Sequence, residues 1–462
     1  MEGLSVGERG ISPADVLSPG RRALHLLRTP LFTNAFYLWI STAGTAVAGF
    51  AFWALVARLY DTDDVGLGTA ALSVLTLLGM FSHLGLGLGL VRFLPESGAR
   101  GPRLANAVFT ASAVGAVALS IVFLVGVPLW APRLGFLREQ PLYTLAFICF
   151  VVAATLYAVQ TYAFLAIRKP KYILLQVVFT QLSRLALPAL MAAFFGAFGI
   201  VASWGMAIAI GVVVGFALLP KGLPGYRPRG VIDPPSVSRL FPFSVANYVA
   251  DSLLLTPGLI LPLVVVGLMG SAEAAYFYMA WFLGYLLTSA STYLALSLFA
   301  EGSHDPGALR VLSRNAVAGG LAVATVGTVL LLLLGDRLLL AFGHDYATEG
   351  ATLLRLVALA ALPAAVVNVY LGALRVTKRV GELVAIAGVV ALTTVALSCA
   401  LLPVMGLTGA GVGHGIGQGL GLAIVLSRLL ASLEGTMTQR MHGLIVSLAG
   451  RPQSQEALHR TR

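Results

Sequence analysis

The feature that most constrains this chain is a series of long apolar segments that fills most of its 462 residues. Each is longer than the ~18 residues that mark a candidate membrane-spanning helix. Only 11% of the residues are charged, against roughly 25% in a soluble domain, so a large soluble core is excluded. The sequence predicts an all-α polytopic membrane protein with about 12 transmembrane helices. The predicted spans lie near 31–58, 65–91, 104–130, 141–167, 172–195, 197–219, 238–268, 273–299, 309–335, 351–374, 381–403 and 406–430.

Charge patterning predicts the orientation of these spans. Lys and Arg concentrate in both tails and in alternate loops, whereas the remaining loops are acidic, as in Asp61-Thr-Asp-Asp64. Because basic residues stay inside, both termini are expected to be cytoplasmic, in a multi-pass protein of the plasma (inner) membrane. The net charge of +11 then reflects topology, and no compact basic and aromatic cluster suggests a nucleic-acid partner. Cys149 and Cys399 fall inside spans, which implies no disulfide framework.

The chain also contains an internal repeat. Gln160-Thr-Tyr162 and Asn368-Val-Tyr370 each precede a basic loop, an apolar run and then a glycine-rich run that begins at Gly196 or Gly406. A proline-rich basic linker separates six spans from six, so the halves share one orientation and form parallel repeats. The predicted organisation is an N-terminal tail 1–29, an N-lobe 30–220, a linker 221–236, a C-lobe 237–433 and a C-terminal tail 434–462.

Two charges lie deep inside predicted spans. Arg184 in the fifth span and Asp251 in the seventh are each about 12 residues from the predicted cytoplasmic end, or ~18 Å deep. Such charges are costly in lipid and normally face a cavity or one another. Arg184 shares a helix face with Gln181 and is predicted to bind an anionic group such as phosphate. Asp251 shares a face with Asn247 and is predicted to be a proton or sodium site or a partner of Arg184; a permanent structural ion pair is the alternative.

Other polar residues within spans allow two interpretations. Gln160 and Asn368, at equivalent positions of the repeat, could hydrogen-bond sugar hydroxyls of a substrate or hold helices together. His83 and His414 are interpreted as structural, because a zinc site needs three or four ligands and neither histidine has that many near it in the sequence.

No catalytic constellation, metal-ligand cluster or nucleotide-binding loop is evident in the sequence. The glycines after His83 are embedded in an apolar span rather than in a strand-to-helix turn. The chain is therefore not predicted to be an enzyme, and no cofactor is expected beyond possible coupling to H⁺ or Na⁺.

Two segments near the first two spans resemble a known family. They are Ala57-Arg-Leu-Tyr-Asp-Thr-Asp-Asp-Val-Gly-Leu-Gly-Thr-Ala70 and Leu84-Gly-Leu-Gly-Leu-Gly-Leu-Val-Arg-Phe-Leu-Pro-Glu96. Both resemble bacterial polysaccharide flippases, which share a superfamily with multidrug and toxin extrusion (MATE) antiporters and the lipid II flippase. The resemblance implies two six-helix lobes around a V-shaped cavity that opens alternately to either side. It also implies a polyprenyl-diphosphate-linked oligosaccharide as cargo, with glycosyltransferases and a polymerase as possible partners.

The leading hypothesis is therefore a flippase that moves this lipid-linked oligosaccharide from the cytoplasmic to the outer leaflet. One alternative is a cation-coupled small-molecule antiporter of the MATE type. It is less favoured because the first span has no carboxylate and Arg184 would repel cationic drugs. The other alternative is a non-transporting membrane scaffold for envelope enzymes.

Overall fold

A computed structural model describes the backbone of residues 30–304 and 306–449 and the side chains of 44–192, 195–241, 245, 248–299, 301 and 307–431. These residues form helices, short 3₁₀ turns and connecting loops, without a β-strand among them, which confirms the all-α prediction. The helices are α1 Pro30–Leu59, α2 Thr62–Ser82, α3 Leu86–Phe93, α4 Gly101–Trp130, α5 Pro141–Ala166, α6 Pro170–Gly222, α7 Pro234–Leu268, α8 Ser271–His304, α9 Leu309–Leu340, α10 His344–Val376, α11 Val380–Met405 and α12 Leu407–Ala449.

Eleven helical segments of the described residues are long and apolar enough to cross a membrane. The first predicted span belongs to α1. The part of it whose side chains are described, Gly44–Leu59, is a shorter apolar helix. Two of the eleven segments, Pro170–Ala192 and Phe195–Gly222, belong to α6. They are separated at Gly196, whose φ of 47° and ψ of −136° interrupt the helix. The chain is thus a multi-pass membrane protein, as the apolar segments predicted. The predicted tails 1–29 and 434–462 lie wholly or largely outside the residues whose side chains are described.

The second predicted span differs from the expectation of one continuous helix. It is divided into α2 and α3 by Leu84 and Gly85, which have left-handed φ angles of 42° and 74°. Glycine adopts this conformation without steric cost, and Leu84 adopts it at some cost. The apolar run continues across the break, so hydropathy alone could not reveal it.

The repeat is visible in the backbone of corresponding turns. Arg168, between α5 and α6, has a φ of 55°, and Lys378, between α10 and α11, has a φ of 57°. The hydrogen bonds that close these turns have the same pattern, from Lys169 N to Phe164 O and from Arg379 N to Leu374 O. Further along, Gly406 has a φ of 60° and ψ of −149°, close to the angles of Gly196. Two unrelated six-helix segments would not be expected to share these turns.

The described residues divide into two compact units. The first comprises the residues up to Ser252 together with Gly258–Met279 and Leu340–Tyr346. The second comprises Leu253–Pro257, Ala280–Leu339 and the residues from Ala347 onward. The lobe boundaries at the 221–236 linker stay a prediction.

The predicted 221–236 linker includes the end of α6 and the start of α7, and its non-helical part between them is held against α4. Asn106 Nδ2 donates a hydrogen bond of 2.8 Å to Arg227 O, and Val231 N donates one of 3.0 Å to Thr110 Oγ1. Tyr226 is buried and packs edge-to-face against Phe109, with 6.4 Å between ring centroids. Extended backbone has no internal hydrogen bonds, so side chains of α4 supply partners that a helix would otherwise provide.

The linker ends at a capped helix. Asp233 accepts a hydrogen bond from Ser236 N at the start of α7 and forms an ion pair with Arg103, with 3.2 Å between Oδ2 and Nε. The Ser236 backbone N–H, together with the Ser236 hydroxyl and the Arg103 guanidinium, lowers the pKa of Asp233. Because the folded pKa is lowered, these contacts stabilise the cap above an ordinary Asp pKa of ~3.9, and the stabilisation is lost as the pH falls through the lowered value.

We expect Asn106→Leu to increase the rate of limited trypsin cleavage after Arg227 and Arg229 about tenfold. The substitution removes the hydrogen bonds that hold this backbone, and proteolysis follows the population of the open form. Cleavage in detergent would be followed by gel electrophoresis. Arg103→Gln is the control: it breaks only the Asp233 ion pair, in which the Arg103 side chain is largely exposed, and should change the rate little. Equal cleavage rates in Asn106→Leu and wild-type protein would show that Asn106 does not hold the linker.

Candidate substrate-binding site

The candidate site begins with one face of α6. Residues four apart share a helix face, and Gln176, Thr180 and Arg184 follow this spacing with Gln181 beside them. All four side chains are buried, Arg184 to 7% exposure and Gln181 to 9%. Arg184 and Gln181 thus lie inside the protein on one face of the fifth span, and their contact with a substrate stays a prediction. Buried polar side chains in a spanning helix are costly and normally face a cavity or one another.

The Arg184 guanidinium lies on an aromatic surface. Its Cζ is 3.5 Å from the ring centroid of Trp204 and 5.9 Å from that of Phe52. Phe52 and Trp204 are themselves in contact, with 5.2 Å between centroids, and Trp53 extends the surface to Tyr278 at 4.7 Å. Aromatic faces attract a guanidinium through their quadrupole, more strongly where water is excluded. The rings come from α1, α8 and the second segment of α6, so tertiary packing assembles this surface.

Polar atoms at this site lack partners among the described residues. Arg184 Nε is buried and donates no hydrogen bond to a described residue, and Gln181 Oε1 is buried and accepts none. The Trp204 ring covers one face of the guanidinium, whereas the guanidinium N–H groups lie in its plane. They can therefore form the paired hydrogen bonds that suit phosphate or carboxylate oxygens. The site is a buried cation with one unused donor, Arg184 Nε, and an unused acceptor, Gln181 Oε1, on the same helix.

Asp251 does not neutralise Arg184 in this conformation. No ion pair of the described residues joins the two side chains, so the permanent pair that the sequence allowed is not formed here. Asp251 is half-buried on α7 and interacts electrostatically with the hydroxyls of Tyr162 and Tyr248. Its role in ion coupling stays a prediction. The side chain of Asn247 lies outside the described residues.

The two repeated amides both join helices. Gln160 is fully buried; its Nε2 donates to Val212 O at 3.0 Å, and its Oε1 accepts from Gln176 Nε2 at 2.6 Å. Asn368 Nδ2 donates to Ser291 Oγ at 2.9 Å. These bonds connect α5 to α6 and α10 to α8, which is the structural interpretation that the sequence left open. Contact of either amide with a sugar stays a prediction.

Sequence reasoning missed most partners of Arg184. Trp204 lies in the glycine-rich part of the repeat, but nothing in its position showed that it would contact Arg184. Phe52 and Tyr278 are aromatic residues within apolar segments. Such residues occur in most membrane spans, so the sequence did not mark them as part of this surface. Gln176 was detectable, because it lies two helical turns before Arg184. Within the described residues, no group of three or more His, Cys, Asp or Glu side chains could hold a metal ion.

Comparisons with solved structures establish the fold. The chain is similar to an inward-facing multidrug resistance MATE family transporter of the MOP superfamily, with a TM-score of 0.62 and 13% identity over 87% of this chain and 98% of that one. It is similar to the lipid II flippase MurJ in an inward closed conformation, with a TM-score of 0.68 and 13% identity over 84% and 86%. An outward-facing MATE transporter gives a TM-score of 0.59 at 13% identity, over 89% and 98%.

The sequence itself identifies the family. No curated protein matches the chain significantly, but the family described as polysaccharide biosynthesis protein matches residues 31–303. This match covers more than half of the 462 residues. It includes the two segments around the first two spans that carried the resemblance to polysaccharide flippases, and the resemblance is confirmed. The chain belongs to the polysaccharide biosynthesis protein family.

Proposed function

We propose that this protein flips a polyprenyl-diphosphate-linked oligosaccharide from the cytoplasmic to the outer leaflet of the plasma membrane for cell-surface polysaccharide biosynthesis. The observation that carries the proposal is Arg184, a buried guanidinium on an aromatic surface with a buried Nε that lacks a partner. A fixed cation within a membrane span is expensive. Its retention is explained if an anionic substrate completes the site.

The chemistry of a diphosphate fits this site. Phosphate oxygens accept paired hydrogen bonds from the in-plane N–H groups of Arg184, while Trp204 fixes the orientation of the guanidinium. Gln181 Oε1 accepts a hydrogen bond from a sugar hydroxyl. The aromatic rings also exclude water, which strengthens the attraction between the guanidinium and the phosphate. A neutral lipid would leave the charge without a partner.

Movement between the two leaflets would follow alternating access. The fold is shared with MATE transporters solved in inward-facing and outward-facing conformations, which supports this mechanism for the present chain. The driving energy would come from a coupled ion, H⁺ or Na⁺, with Asp251 as the carboxylate that binds it, or from enzymes that supply and consume the lipid-linked sugar on the two sides.

The second candidate function is a cation-coupled multidrug antiporter. The fold favours it, because the similar solved structures include multidrug resistance MATE family transporters. Arg184 opposes it, since a buried guanidinium without an ion-pair partner among the described residues repels cationic drugs. The two candidates therefore differ in the charge of the molecule that binds next to Arg184.

Depletion of the protein in its native cells tests the proposal. We expect lipid-linked oligosaccharide to accumulate on the cytoplasmic leaflet, where it would be identified by lipid extraction and mass spectrometry, and wild-type protein should reverse the accumulation. Drug sensitivity without accumulation would favour the antiporter. An envelope defect with neither change would favour a scaffold and contradict transport.

A further inference from the structure

The break between α2 and α3 is held by a histidine side chain. His83 follows Ser82, the last residue of α2, and is buried to 3% exposure. Its Nδ1 accepts a hydrogen bond of 3.3 Å from Gly85 N, in the left-handed part of the break. Its Nε2 lies 3.3 Å from Tyr248 Oη on α7. The imidazole thus connects the break to a second helix of the same unit.

These hydrogen bonds determine the protonation state of the ring. Tyr248 Oη donates its proton to Met80 O at 2.7 Å, so it can only accept from His83 Nε2. The Gly85 N–H needs a lone pair on Nδ1. His83 is therefore neutral here, with its proton on Nε2. Both ring nitrogens are in use.

A second proton on His83 would change the break. Protonation at Nδ1 removes the acceptor of the Gly85 N–H and places two N–H groups against each other. A buried N–H without a partner is unfavourable, and Leu84 already has an unfavourable left-handed φ of 42°. The backbone at Leu84 and Gly85 would therefore rearrange, and the angle between α2 and α3 would change with it.

The groups that face His83 come from neighbouring helices. The titratable groups that face it are Tyr162 from α5, at 6.3 Å between ring centroids, and Tyr248 from α7, at 5.0 Å. Asp251 on α7 interacts electrostatically with both tyrosines. α4 packs on the same region through Gly115 near Ser82 O, and the nearest charge of α3, Arg92, lies two turns beyond the break.

The break is also a departure from the repeat. In the second half the corresponding span, α8, is continuous from Ser271 to His304. Its described residues contain no positive φ angle after Gly270. A feature that one half acquired and the other lacks is not needed to build the repeated fold.

We propose that His83 is a proton-binding site that couples proton uptake to rearrangement of the second span. The proposal rests on the proposed function in one respect: the coupled movement is a step of lipid-linked sugar transport. The proton would bind at Nδ1, with Leu84–Gly85 as the hinge.

A spectroscopic measurement tests the proton site without any transport assay. The full-length protein, labelled with ¹⁵N in histidine and glycine, would be placed in nanodiscs, and the His83 signals assigned by their loss in His83→Gln. We expect the ring to change from the neutral Nε2–H form at pH 8 to the doubly protonated form at pH 5, with a concurrent change in the Gly85 amide. A ring that stays neutral throughout, or titrates without a change at Gly85, would overturn the proposal.

A transport measurement then tests the coupling. Gln can accept from Gly85 and donate to Tyr248 but cannot titrate, so His83→Gln preserves the fold of the break. In proteoliposomes with a fluorescent polyprenyl-diphosphate disaccharide, the wild-type rate should change at least ~3-fold between pH 5 and pH 8, and the His83→Gln rate should not. His414→Gln, at the buried histidine of the second unit, is the control and should keep the wild-type pH dependence.

The two measurements separate the two proposals. A His83→Gln protein with wild-type pH dependence would overturn the coupling role. If His83 and Gly85 titrate together while the wild-type protein moves no lipid-linked sugar, the proposed function fails and the proton site stands.

Discussion

Arg184→Ala is expected to lower the rate of lipid-linked sugar flipping by ~100-fold or more, because removing one partner of a buried charge pair costs ~2–5 kcal/mol. The substitution removes the only group in the described site that offers paired donors to a diphosphate. It also leaves Trp204 and Phe52 without the guanidinium that stacks on them. Arg184→Lys should retain part of the activity, since an ammonium keeps the charge but loses the planar pair of N–H donors.

The flipping rate would be measured in proteoliposomes that contain equal amounts of folded protein, as judged by size-exclusion chromatography and Tm. Arg355→Ala is the matched control, because Arg355 forms a half-exposed ion pair of 2.7 Å with Asp336. Such a pair contributes ~0–1 kcal/mol, so this variant should transport normally. Normal transport by folded Arg184→Ala would eliminate Arg184 as the phosphate-binding residue.

Gly66→Ala is expected to destabilise the protein by ~3 kcal/mol or more, since it overpacks a contact with little freedom to relax. A Cβ at position 66 would lie 1.7 Å from the backbone oxygen of Ser271. That oxygen belongs to the first residue of α8 and cannot rotate away as a side chain would. Only glycine allows α2 to approach the start of α8 this closely.

The measurement is thermal unfolding of Gly66→Ala in detergent, monitored by loss of monodisperse protein. Gly267→Ala in α7 is the matched control, because a Cβ there would have no neighbour within 4 Å. The control should leave stability unchanged or raise it by up to ~1 kcal/mol through helix propensity. If the two variants unfold at the same temperature, the close approach at Gly66 does not contribute to stability.

The fold could be predicted because hydropathy and repetition are direct properties of the sequence. Long apolar segments must form helices in lipid, since every backbone polar group needs an internal partner. The left-handed residues Arg168 and Lys378 sit at equivalent points of the repeat, as the basic loops indicated. The break at Leu84–Gly85 could not be predicted, because it depends on a hydrogen bond from Gly85 to a side chain within an uninterrupted apolar run.

The candidate site was predicted only in part, for a similar reason. Arg184 is buried inside the protein, and its depth in the bilayer stays a prediction from its position in the fifth span. Its partners Trp204 and Phe52 could not be inferred, because the spacing of residues in one helix does not show which faces of other helices touch it. Gln160 illustrates the limit as well: the sequence allowed both a substrate contact and an interhelical bond, and the fold forms the bond to Gln176.

The most direct test of the central claim is a flipping assay with purified protein. A fluorescent polyprenyl-diphosphate disaccharide would be incorporated in both leaflets of sealed proteoliposomes, and the inner pool would be followed with a membrane-impermeant quencher. Wild-type protein should bring the inner pool to the quencher, a neutral analogue without the diphosphate should remain inside, and Arg184→Ala should behave like protein-free vesicles. Equal movement of the diphosphate and neutral lipids, or none of either, would contradict the account.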